Sequence, residues 1–205
     1  MLTIWGRTNS INVQKVLWCC AELGLEYKRI DAGLHHGVNN TPEYLARNPN
    51  GLVPTIDDDG YVLWESNVIV RYLSSRHGLG TLCPADPKDR FLSERWMDWQ
   101  LTAAHPLGTI YRGLIRTPPE KRDNNAIAAA QHVSEASFKL LDGHLAGRDF
   151  IETGRFTMGD IPIGAIAYRW LGLGNKREDV PNLARYYDRL AERPAFRQHV
   201  MLPLT

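Results

Sequence analysis

In the stretch "TNSINVQKV", residues 8–16, a small hydroxyl residue, Ser10, stands two positions before an amide, Asn12. Here a strand-like run, "MLTIWG", gives way to helical spacing. Both types accept hydrogen bonds from the orphan N–H groups of a helix's first turn, so helix capping is one sufficient account. A second pair, Glu65-Ser66, opens "ESNVIVRYL". It too reads as a helix start, with a hydroxyl and an acidic residue at the positive end of the macrodipole. The same physics makes an anion site of a free N–H and hydroxyl at a helix N-terminus. With the Glu65 carboxylate beside it, the pair matches a zwitterionic amino-acid head group.

The surrounding elements are legible from period and punctuation. "LTIWG" is a short apolar strand. "NVQKVLWCCAELG" places Val13, Val16, Leu17, Cys20 and Leu23 at helical spacing and stops at Gly24. "EYKRIDA" alternates as a second strand. "TPEYLARNP" is a short helix with Thr41 as N-cap and Pro42 at its first position. "LVPTIDDDGYVLWES" gives two strands around a turn at Asp59-Gly60, and "SNVIVRYLSSRHG" gives a helix ending at Gly78. The order is βαβ, a short helix, then ββα. "GLGTLCPADP" (78–87) has a linker's density of Gly and Pro, and beyond it strand signals cease. A long helix follows over 88–116, with Phe91, Leu92, Arg95, Trp96 and Trp99 as its stripe. The next carries Ile127, Ala130, Val133, Ala136 or Ser137, Leu140, Leu141 and Leu145. A third opens at "FTMGDI", where Thr157 and Asp160 fit an N-cap and N3 pair and Phe156 and Ile161 a hydrophobic staple. Two short helices break near Pro194. The fold class is therefore a small α/β unit followed by an all-helical one.

Bulk properties exclude several functions. The 205 residues suffice for one large domain or two small ones, and the formal charge of +1 comes without a basic run. Neither nucleic acid nor an anionic membrane surface is an expected partner. No apolar stretch approaches the roughly 20 residues of a membrane span, and the opening residues carry no secretory pattern. Three cysteines, two of them adjacent (Cys19, Cys20), make no disulfide framework and suit a reducing compartment. A cytoplasmic protein is the expectation. No metal is expected either: His35 and His36 are adjacent and lack a suitably spaced carboxylate or cysteine. "GLGNKRE" (172–178) lacks the strand and third glycine of a nucleotide loop.

"NPNGLVPTI" followed by "LWESNVIVRYL" resembles the glutathione-binding half of cytosolic glutathione transferases, and "FTMGDI" is also typical of them. The resemblance implies a thioredoxin-like N-terminal domain (1–79), a linker (80–87) and an all-helical C-terminal domain (88–205). It implies glutathione as co-substrate, a homodimer, and transfer of the glutathione thiolate to an apolar electrophile. In that family the proline at Pro54 is cis, and Val53 pairs by its backbone with the cysteinyl unit, as an added strand would. Glu65 and Ser66 take the ammonium and carboxylate of the γ-glutamyl head. His36 lies where relatives approach the glycine carboxylate, while Leu52 replaces a frequent Lys or Arg there. Ser10 falls at the place of a catalytic serine that points at the sulfur. Asn12 replaces the usual Pro, and "S-x-N-x-x-K-V" resembles bacterial and fungal members in which the Asn contributes. The pattern is thus serine/asparagine-type, theta- or nu-like. No tyrosine precedes Tyr27, and position 10 is not cysteine. Trp99, His105, Tyr111 and Trp170 are candidates for the electrophile site, with core packing the competing account of each. Glutathione-dependent disulfide or peroxide reduction is a second reading, and a non-catalytic glutathione-binding module a third.

Overall fold

The computed structural model describes residues 1–175 and 177–205, so Lys176, within the 172–178 loop, lies outside the described residues. Strands β1 (Leu2–Trp5), β2 (Tyr27–Ile30), β3 (Thr55–Asp58) and β4 (Tyr61–Trp64) form one sheet in the order β2-β1-β3-β4. β1 runs parallel to β2 and antiparallel to β3, and β3 pairs antiparallel with β4. The Asp59-Gly60 turn works as its residue types require: both take positive φ, 52° and 93°. Helices α1 (Ile11–Glu22), α2 (Pro42–Leu45) and α3 (Ser66–His77) complete this unit. Thr41 caps α2, accepting from the Tyr44 N–H at 3.3 Å. α1 closes on Gly24 at φ 64°, with the Gly24 N–H donating to the Ala21 carbonyl and that of Leu25 to the Cys20 carbonyl, the double bond of a Schellman end.

The helical unit comprises α4 (Pro87–Tyr111), α5 (Asn124–His144), α6 (Asp160–Gly172), α7 (Pro181–Ala191) and α8 (Pro194–His199). α4 passes through Pro106 and ends in a π-helical turn, Arg112–Arg116. Such turns recur beside functional sites. The segment between the units is tied down: Leu82, Cys83 and Pro84 are buried, and the Leu82 carbonyl accepts from the Met158 N–H at 2.8 Å.

Several stripes differ from the sequence expectation, each for a packing reason. α1 is buried on every side from Val13 to Cys20, because α3 covers one face and α6 and α8 of the helical unit cover another. α6 crosses α1 closely: a Cβ on Gly164 would meet the Trp18 ring at 2.8 Å. In α5 the buried face is Ala130, Ser134, Phe138 and Leu141, while Val133 and Leu140 point outward. Phe91 is likewise exposed, and α4 buries Trp96, Met97, Gln100, Ala103 and Leu107 instead. α6 begins at Asp160, and Thr157 is its tether more than its cap. The buried Asp160 carboxylate accepts from the Ile151 and Thr157 N–H groups, both at 2.8 Å, and from the Tyr186 hydroxyl at 3.0 Å.

Candidate functional site

The C-terminal end of β1, the N-terminus of α1 and the π turn after α4 enclose a cleft of about 420 Å³. A smaller recess of about 50 Å³ adjoins it along Val53, Pro54, Glu65 and Ser66. Ser10 lines the cleft, and Asn12 lines both cleft and recess. Gly6 makes this corner possible. A Cβ there would sit 2.4 Å from the Val13 side chain, so only glycine lets the loop close onto α1.

Ser10 is the N-cap residue of α1 by backbone (φ −92°, ψ 121°), and its carbonyl accepts from the Gln14 N–H at 2.9 Å. Its side chain makes no capping hydrogen bond. The Asn12 side chain is exposed to the cleft and takes no protein partner among the described residues. The capping account of residues 8–16 therefore fails at the side chains. A hydroxyl and an amide are left free at the positive end of a helix, where an anion is stabilised.

Val53–Pro54 is a cis peptide. The preceding loop is rigidly held: the Leu52 carbonyl accepts from the Tyr44 hydroxyl at 2.5 Å and from the Asn48 side-chain amide at 2.9 Å. The Val53 N–H and carbonyl take no backbone partner among the described residues, so an extended peptide can pair with them. Glu65 sits in the left-handed region (φ 70°, ψ 105°), strain of order 1–3 kcal/mol that is typical of ligand clamps. Its carbonyl starts α3, accepting from the Ile69 N–H at 2.9 Å, while its carboxylate is exposed and unpaired among the described residues. Ser66 is buried with no side-chain partner among the described residues.

Lys15 is the lysine of the S-x-N-x-x-K-V pattern, and its role is one that sequence reasoning missed. It is fully buried, and its ammonium donates to Asn67 Oδ1 at 2.8 Å and Gln100 Oε1 at 3.3 Å. Burial pushes its pKa down to about 7, against a smaller upward pull from Glu65. The contact pins the N-terminus of α3 to α1 and so fixes the Glu65-Ser66 corner relative to Ser10 and Asn12. A lone charge inside "VQKVLWCC" was the available signal.

The remaining candidates divide. Tyr111 lines the cleft, but Trp99, His105 and Trp170 do not. Trp170 is core, stacked on Phe138 at 4.5 Å, and Trp99 packs edge-on to Trp96 at 5.1 Å. His105 is solvent-exposed on α4. His36 stands outside the cleft lining, its ring tilted by 38° against that of His35 at 3.9 Å, and it lies 3.9 Å from Asp31. The cleft instead recruits Arg7, Arg112, Arg116 and Arg169. Arg169 was detectable as the single charge in "IPIGAIAYRWLG". Cys19, Cys20 and Cys83 are buried free thiols away from the cleft, and burial pushes Cys19 up to about 12.

The glutathione S-transferase N-terminal domain family matches residues 1–75, and the corresponding C-terminal domain family matches 106–194. The chain is 45% identical to glutathione S-transferase GstB of Escherichia coli K12, over all of both chains. It is 28% identical to glutathione S-transferase 3 of Zea mays, covering 97% of this chain and 93% of that one. A crystal structure of a theta class glutathione S-transferase from Xanthomonas axonopodis pv. citri, with glutathione bound, superposes with a TM-score of 0.96. The two share 45% identity, over 100% of this chain and 99% of that chain. Family, fold and cleft agree, and this chain belongs to the glutathione S-transferases.

Proposed function

We propose that residues 1–79 bind glutathione and that Ser10 and Asn12 hold its sulfur as the thiolate. Residues 88–205 bring in the electrophile, and 80–87 join the two units. One observation carries this reading: the Ser10 hydroxyl stands at the N-terminus of α1 and makes no capping bond. The Xanthomonas relative that binds glutathione has the same fold at 45% identity. A free thiol titrates near ~8.5, so only a few per cent is ionised at neutral pH. Lowering that pKa by ~2 units takes about 2.7 kcal/mol, within reach of two hydrogen bonds to a charge and a helix terminus. Val53 supplies backbone pairing, Glu65 takes the α-ammonium, Ser66 takes the α-carboxylate, and His36 approaches the glycine end.

A cytoplasmic homodimer is part of the same reading. Three unpaired thiols fit a reducing compartment. Val68 of α3 and Phe91 and Leu101 of α4 are exposed apolar side chains on two helices joined by the Arg71–Glu94 pair, a surface suited to a twofold contact.

The test compares glutathione-dependent conjugation of a chlorodinitrobenzene with turnover of hydroxyethyl disulfide. Conjugation is the expected activity. Disulfide turnover alone would favour the reductase, and retention on immobilised glutathione with neither activity would leave a binding module. Within the site, Ser66→Ala and Glu65→Gln should each raise KM for glutathione about tenfold with a smaller change in kcat. Each removes a charge-assisted contact made in ground and transition state alike. Loss of kcat at unchanged KM would remove these residues from the head-group role.

A further inference from the structure

The cleft beside Ser10 ends in a wall of arginines. Arg7 comes from the β1–α1 loop, Arg112 and Arg116 from the π turn, and Arg169 from α6. No Asp or Glu lines the cleft, and none of the four makes an ion pair among the described residues. Arg169 is only 8% exposed, lies 3.9 Å over the Tyr111 ring, and has no hydrogen-bond acceptor among the described residues. Arg7 also lacks an acceptor there, and its Nε is buried without a partner. Arg116 alone is well occupied, giving two N–H groups to the main-chain oxygen of Thr205 at 2.9 and 3.1 Å.

Other half-buried arginines find acceptors: Arg122 donates to the Thr117 and Leu114 carbonyls at 3.1 and 2.7 Å, and Arg177 to the Leu171 carbonyl at 3.1 Å. Arg193 grips both carboxylate oxygens of Glu22, at 2.8 and 2.6 Å, and Arg71 is paired with Glu94 and Asp98. Burying a guanidinium without a counter-charge is unfavourable, and the tyrosine face below Arg169 offsets only part of that. Burial pushes Arg169 down to about 10, with Arg116 and Arg7 adding repulsion, and Arg7 is lowered by burial and by Arg116. Three chain segments thus converge on a concave cationic surface to which no Asp or Glu side chain among the described residues supplies an anion.

We propose that the second substrate is a small electrophile carrying a carboxylate or a similar oxyanion, held by Arg169 and Arg7 with its reactive carbon turned to the glutathione sulfur. The inference rests on the glutathione reading above and replaces the apolar electrophile with an anionic one. A planar, forked guanidinium matches a carboxylate, and pairing relieves the repulsion among the arginines.

The experiment uses para-chloro-meta-nitrobenzoate and its uncharged carboxamide at saturating glutathione, each rate divided by its uncatalysed rate. In both, the thiolate attacks the chlorine-bearing ring carbon. The C–S bond forms, the C–Cl bond breaks, and chloride leaves with the bonding pair after the thiol proton has passed to solvent. The enzyme should favour the acid about tenfold in kcat/KM, less so in high salt. Arg7→Gln and Arg169→Met should bring that ratio towards one. Arg7 is half-exposed, so its variant keeps the test valid if the buried Arg169 variant fails to fold. Equal rates for acid and amide in the unaltered enzyme overturn the proposal. So does an equal loss on both electrophiles with a raised KM for glutathione, which would assign the arginines to the glycine carboxylate. If neither electrophile reacts and immobilised glutathione retains nothing, the glutathione reading falls and takes this one with it.

Discussion

Asn12→Ala lowers kcat/KM for conjugation at least as far as Ser10→Ala does, about tenfold each at a pH of about 6.5. The two side chains face one cleft from positions two apart at the same helix start, and neither serves the helix. Each hydrogen bond to an ionised sulfur lowers the thiol pKa by about one to two units. Below the raised pKa, the thiolate fraction falls by a similar power of ten. The more basic thiolate that remains is a better nucleophile, which recovers part of the loss. The effect is therefore pH-dependent. It shrinks as pH rises towards the free thiol's value of ~8.5 and is nearly gone above it. Rates measured across that range for both single variants and the double variant check it. A deficit that stays constant with pH would mean that the side chains position the substrate without ionising it.

Asp160→Ala should cost roughly 3 kcal/mol of folding stability at neutral pH. The Asp160 carboxylate is fully buried and holds two backbone N–H groups, the Tyr186 hydroxyl and the Thr157 hydroxyl. Alanine leaves all of these donors in the core without an acceptor. It also frees the 151–157 loop from the start of α6. Burial raises the carboxyl to about 6 despite the hydrogen bonds, which pull it down. With the folded pKa above the unfolded one, the native state binds more protons between about 4 and about 6. Its contribution is full below that window and declines as pH rises through it. The gap between parent and variant is accordingly largest near pH ~4 and smaller at neutrality. Denaturant midpoints across this range measure it. A variant as stable as the parent at every pH would remove Asp160 from the framework.

What was legible in the sequence was local. The Asp59-Gly60 hairpin, the Thr41-Pro42 helix start and the Gly24 stop each depend on residues a few positions apart, whose backbone preferences act alone. The α1 corner was legible as a place, but its chemistry was not, because capping and anion binding use the same residue types. What failed was tertiary. Trp99 and Trp170 are aromatics at helical spacing, which core packing produces without any ligand. Val133 and Leu140 joined an apolar stripe in α5 whose phase is set by the neighbouring α4. The arginine wall draws on positions 7, 112, 116 and 169, and no window holds them together. Its only local trace is the isolated charge at Arg169, just as Lys15 is the isolated charge of α1.

The most direct test is the pKa of the thiol of enzyme-bound glutathione, read from the ultraviolet absorbance of the thiolate as pH is varied. Bound glutathione should ionise about two units below the free tripeptide, and the value should climb back in the Ser10→Ala, Asn12→Ala double variant. A bound thiol that titrates where the free one does, unmoved by either substitution, would contradict the account.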